Sequence, residues 1–168
     1  DPVTHWDTGG VYQVSESLPV FTTLAADSGF ITSRFEWQTT CSHVRSTPYN
    51  WLLKAEDENR EISLVDIDNL NIRVIGPATE NLNAIPSHNS ILLRWSSSVC
   101  DNVIGYDIYR RNGRTGYVPD SCSYGIPQGL DYELVGSTGG WKDTLFIDDN
   151  GGTGLLQGIE YCYMVVAV

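Results

Sequence analysis

Apolar and polar residues alternate along this chain in short runs, most of them closed by Gly, Pro, Asn, Asp or Ser. The runs are 11–14 (VYQV), 20–24 (VFTTL), 31–37 (ITSRFEW), 49–55 (YNWLLKA), 70–75 (LNIRVI), 81–85 (NLNAI), 90–95 (SILLRW), 103–111 (VIGYDIYRR), 132–137 (YELVGS), 145–147 (LFI) and 161–168 (YCYMVVAV). A period of two puts successive side chains on opposite faces of an extended backbone, so each run predicts a β-strand. No window pairs a helical period with a capping residue in front of it. Many short strands without helices predict an all-β protein built as one or two β-sandwiches. A break is expected at Gly76–Pro77, because proline cannot donate to a strand ladder and a new alternation starts after it. The expected domains are therefore 1–76 and 77–168. Phe35, Trp37, Leu53 and Val74 are the expected core of the first.

Charge narrows the partners. Ten basic and 21 acidic residues give a net charge of −11. That field repels nucleic-acid phosphates and anionic membrane surfaces, so neither is expected as a partner. No run approaches the roughly 18 apolar residues of a membrane-spanning helix, and no signal peptide opens the sequence. The chain is expected to be a mature form or a fragment.

Candidate chemistry is sparse. Cys41, Cys100, Cys122 and Cys162 show no zinc-site spacing with His5, His43 and His88. Their even number suggests disulfides and an oxidising, extracellular setting. Cys41 and His43 share a strand face if extended, which is the minimum a thiol–imidazole pair needs. No nucleophile elbow, metalloprotease motif or phosphate loop occurs, and no enzymatic activity is expected. No cofactor is expected either, with calcium the weak exception: Asp57, Asp66 and Asp68 supply hard oxygen ligands. Trp6, Trp51, Trp141, Tyr117 and Tyr124 are the aromatics that could stack on sugar rings.

The second half resembles a fibronectin type III domain. "PATENLNAIPSHNSILLRWSSS" is similar to the first two strands of that family, with Leu82, Ala84, Ile91, Leu93 and Trp95 inward. "VIGYDIYRR" is similar to the third, with Tyr106 and Ile108 inward. "LLQGIEYCYMVVAV" resembles the family's Leu-x-Pro-Gly-Thr-x-Tyr turn and sixth strand. The resemblance implies that Leu155 plugs the core, Gly158 makes the turn, and Tyr161 packs its ring inside while its hydroxyl bonds upstream backbone. Gln157 and Ile159 depart from the family's Pro and Thr. A seventh strand would follow Val168, so the domain is read as lacking its last strand, with the chain cut from a longer protein or completed by a strand from elsewhere. The segment 112–131 is a long insert, expected to cover the second side of the last strand.

Residues 1–76 resemble an immunoglobulin- or cadherin-like sandwich, although the segment is short for a complete one. Across roughly 30–168, the spacing of "WQTTCSHVRSTPYNWLLKAED", "VIGPATENL", "SSSVCDNVIGYDIYRR", "DSCSYGIP" and "YCYMVVAV" resembles tandem β-domains of large Bacteroidota cell-surface proteins of the gliding-motility-associated, type IX-secreted kind. The fibronectin-like topology implies a Cys122–Cys162 bridge and an interdomain Cys41–Cys100 bridge. Cys100–Cys162 with Cys41 unpaired remains the alternative. "DTL" resembles a Bacteroidota O-glycosylation sequon, which makes Thr144 the acceptor of a glycoprotein. The function these resemblances imply is a non-catalytic spacer or adhesin module on the bacterial cell surface. Its partners would be neighbouring domains of the same chain, other surface proteins or glycans. The alternative is an accessory, carbohydrate-binding pair of domains from a secreted hydrolase.

Overall fold

A computed structural model of the chain describes residues 2–27, 29–59, 61–118 and 123–168. The chain divides into two units, Asp1–Ile75 and Gly76–Val168, one residue before the break expected from sequence. The architecture is all-β. Among the described residues the helical segments are two 3-10 turns, Gly10–Tyr12 and Cys41–His43.

In the first unit, β1 (Val3–Gly9), β4 (Tyr49–Asp57) and β5 (Val65–Ile72) form an antiparallel sheet in the order β1-β4-β5. β2 (Val20–Asp27) and β3 (Phe30–Glu36) form a separate antiparallel pair. Aromatic rings join the two layers. Phe21 and Phe35 oppose each other in register, and their rings lie 5.5 and 4.3 Å from that of Trp51 on β4. Val11, Tyr49, Trp51 and Val74 are buried, with Trp37, Leu53 and Ile72 packed against them.

Three expectations fail here. β1 was not expected, because its inward positions are His5 and Asp7 rather than apolar residues. Asp7 earns its place by accepting bonds from the Trp51 indole, at 2.7 Å, and from the Tyr12 hydroxyl. The run 11–14 is not a strand: the chain leaves β1 at Gly9 and turns, burying Val11 completely. The strand expected at 70–75 starts five residues earlier, so Asp66 and Asp68 lie on β5 rather than in a turn.

In the second unit, β6 (Asn83–Ser87), β7 (Ser90–Arg94) and β10 (Leu145–Asp148) form one antiparallel sheet, ordered β10-β7-β6. β8 (Tyr106–Asn112), β9 (Glu133–Thr138) and β11 (Tyr161–Ala167) form another, ordered β11-β8-β9. Leu93 on β7 and Trp95 just after it share one buried cluster with Tyr106, Ile108 and Val165 from the second sheet. That common interior makes the unit a sandwich. Its thickness depends on Gly136, since a Cβ there would sit 2.3 Å from the Phe146 ring of the facing sheet. Leu82 and Ala84, expected inward, are exposed, because β6 is an edge strand solvated along its length.

Candidate functional site

The family-like residues of the second unit occupy structural positions. Trp95 and Tyr106 meet edge to face at 5.4 Å between ring centroids. The Tyr106 hydroxyl accepts the Ser98 N–H and donates to the Trp141 carbonyl, both at 2.8 Å. The Trp141 indole returns a bond to the Ser98 carbonyl at 2.7 Å. Leu155 is buried. Gly158, at φ +79°, takes the turn conformation that a side chain would strain. Tyr161, half-buried, accepts the Leu156 N–H at 3.1 Å and donates to the Leu156 carbonyl at 3.4 Å.

Beside this corner lies a buried polar cluster. Asp148, 2 % exposed, accepts from Arg110 Nη1 at 3.0 Å on both oxygens. It also accepts the Tyr163 hydroxyl at 2.8 Å and the Asn150 N–H at 3.1 Å. Arg110 Nη2 reaches Asn150 at 3.0 Å. Burial, then the hydroxyl's bond to Asp148, pushes the Tyr163 phenol far above its ordinary value of 10.0. In sequence Asp148 reads only as part of an acidic turn, Asp148–Gly152, with oxygen ligands for calcium; the structure commits it instead to a cluster that joins β8, β10 and β11 across the sandwich. A groove of about 310 Å³ opens next to it, lined by Arg110, Arg111, Asn112, Asp131 and Glu133. Its cations are engaged by the protein, Arg110 as above and Arg111 on the Leu130 and Asn112 carbonyls. The groove presents no nucleophile–base pair.

The cysteines divide. Cys41 and Cys100 are both disulfide-bonded, and these are the two that the sequence reading joins to each other. Cys162 is a free thiol, which corrects the expected Cys122–Cys162 bridge. Strand pairing sets Cys162 opposite Arg111. The free thiol also removes the Cys100–Cys162 alternative. Cys122 lies outside the described residues. The Cys41–His43 idea finds no catalytic geometry. His43, 1 % exposed, accepts the Thr40 N–H on Nδ1 at 2.8 Å, which leaves its proton on Nε2, 2.9 Å from the Glu16 carbonyl.

Among the described residues no group of three or more His, Cys, Asp or Glu side chains is placed to hold a metal. Asp57 instead caps the following loop, accepting the Leu64 N–H at 2.7 Å. Asp66 and Asp68 stand exposed on β5. Of the sugar-stacking candidates, Trp51 is buried and Trp141 is half-buried with its indole engaged. Tyr117 bonds Ser123 at 2.9 Å. Trp6, 48 % exposed, and Tyr124, 62 % exposed, remain open to solvent. Thr144 is half-buried, and its carbonyl accepts the Trp95 N–H at 3.2 Å. No helix is long and apolar enough to cross a membrane, among the described residues.

No known family model matches the chain, and no curated protein matches it.

Proposed function

We propose that the chain is a non-catalytic spacer or adhesion module of a long extracellular bacterial surface protein. Its first unit would be immunoglobulin- or cadherin-like and its second fibronectin type III-like. One observation carries this reading: the polar side chains that chemistry would need are committed to holding strands together. His43, Asp7, Asp148, Arg110 and Tyr106 all bond backbone or neighbouring core groups. The strand orders β10-β7-β6 and β11-β8-β9, and the Tyr161 hydroxyl on Leu156, support the fibronectin-like assignment. Disulfide-bonded Cys41 and Cys100 support an oxidising location. The net charge of −11 argues against a nucleic-acid partner.

Trp6 favours a second reading, as an accessory carbohydrate-binding pair of domains. It stands on the outer face of β1, half-exposed, where a sugar ring could stack. A glycan array with the whole chain separates the two. A spacer retains no glycan, and Trp6→Ala changes nothing. A retained glycan that Trp6→Ala releases would transfer the assignment to the second reading.

A further inference from the structure

We propose that the edge of β5, which no other strand pairs among the described residues, docks an extended segment of a partner protein that carries lysine or arginine at alternate positions, adding a fourth strand to the sheet β1-β4-β5. This goes beyond the spacer reading and does not depend on it.

The backbone supplies the first part of the argument. Asp57 N–H donates to the Leu64 carbonyl, and Glu58 N–H to the Pro2 carbonyl. With the β4–β5 register, that alternation turns the backbone groups of Asp66, Asp68, Leu70 and Ile72 toward β4. Those of Val65, Ile67, Asn69 and Asn71 then point away from the sheet, onto the edge. Seven of the eight residues of β5 are exposed, among them Val65 at 49 % and Ile67 at 58 %. Such an edge is a template for another strand.

Contrast with three other edge regions supplies the second. β6 is five residues long and contains Pro86. The β2–β3 pair is broken by a register shift between Thr23 and Ala25. On β11 the edge-facing carbonyl of Val165 is taken by the Thr79 hydroxyl. β5 has no proline and no register shift. Its one protective feature is charge: Asp66 and Asp68 stand two apart on the same face, and Asp57 is on that face of β4. Inward-side carboxylates discourage a second β5 from pairing, since like charges would meet across the new ladder. They favour a strand whose basic residues lie two apart, while its intervening apolar residues cover Val65 and Ile67.

The test uses the whole chain and a synthetic peptide in which lysine alternates with valine, beside a control with glutamate in place of lysine. The lysine peptide is expected to slow amide hydrogen exchange at Val65, Ile67, Asn69 and Asn71, and the glutamate peptide is not. Ile67→Pro removes an edge-facing N–H without touching the β4 ladder. It should weaken binding about tenfold, the worth of one or two hydrogen bonds. The double variant Asp66→Lys with Asp68→Lys keeps the backbone edge and should reverse the preference, retaining the glutamate peptide instead. Equal binding of both peptides overturns the proposal, as does binding that Ile67→Pro leaves unchanged or no protection of those four amides. Protection that rises with protein concentration in the absence of peptide would assign the edge to self-association and also overturn it.

Discussion

Asp148→Ala is expected to cost the second unit about 3–5 kcal/mol, because it strands a buried guanidinium. The Arg110 and Asp148 side chains are 13 % and 2 % exposed, and every bond to Asp148 comes from within the unit. In urea this is a midpoint shift of about 2 M or more at an ordinary slope. Replacing both partners together, Arg110→Met with Asp148→Leu, should recover most of the loss, since no charge is then left unpaired. A shift below about 0.5 M for the single variant would show that the pair is solvated. The same network sets an alkaline limit. Tyr163 has its pKa raised above 10.0 by burial and by Asp148. A raised value in the folded state means that its contribution is complete below pH 10.0 and is lost as pH climbs beyond it. Tyr12, raised by burial and by Asp7, acts in the same direction. Tyr163→Phe should therefore shallow the alkaline fall in stability without abolishing it.

Tyr106→Ala is expected to have an effect of the same size for a different reason. Its ring is fully buried against Trp95, and truncation leaves a cavity worth about 3–5 kcal/mol. Tyr106→Phe keeps the ring and loses only the hydroxyl between the Ser98 N–H and the Trp141 carbonyl. That should cost about 1–3 kcal/mol, the usual penalty for buried groups left unpaired. Urea unfolding followed by near-ultraviolet dichroism measures both variants. Equal losses for Ala and Phe would mean that the ring contributes nothing to packing.

These residues show which parts of the structure sequence can reveal. Tyr106, Ile108, Leu93 and Trp95 lie on runs with clean alternation, and alternation reports burial directly. β1 hides because its inward side chains are His5 and Asp7, polar groups made tolerable by Phe21, Trp51 and Tyr12. No periodicity of apolar residues can announce such a strand. β5 is displaced for a related reason. Its Asp66 and Asp68 stand out in sequence as candidate calcium ligands, yet they sit on an edge strand where charge is useful. The Arg110–Asp148–Tyr163 cluster joins residues 38 and 15 positions apart in sequence, so only the closed sandwich assembles it. Cys162 was misread because a cysteine's presence on a strand says nothing of what faces it across space. There the strand register sets Arg111, not a second thiol, opposite Cys162.

The first unit is held by one strand flanked on both sides, β4, and the second by two, β7 and β8. Residue-resolved amide hydrogen exchange on the whole chain tests this arrangement most directly. The slowest amides are expected in β4, β7 and β8, with Trp51, Leu93 and Ile108 among them, while Val65, Ile67, Asn69 and Asn71 exchange quickly. Rapid exchange at Leu93 and Ile108, or protection running continuously through 58–64 as in a helix, would contradict it.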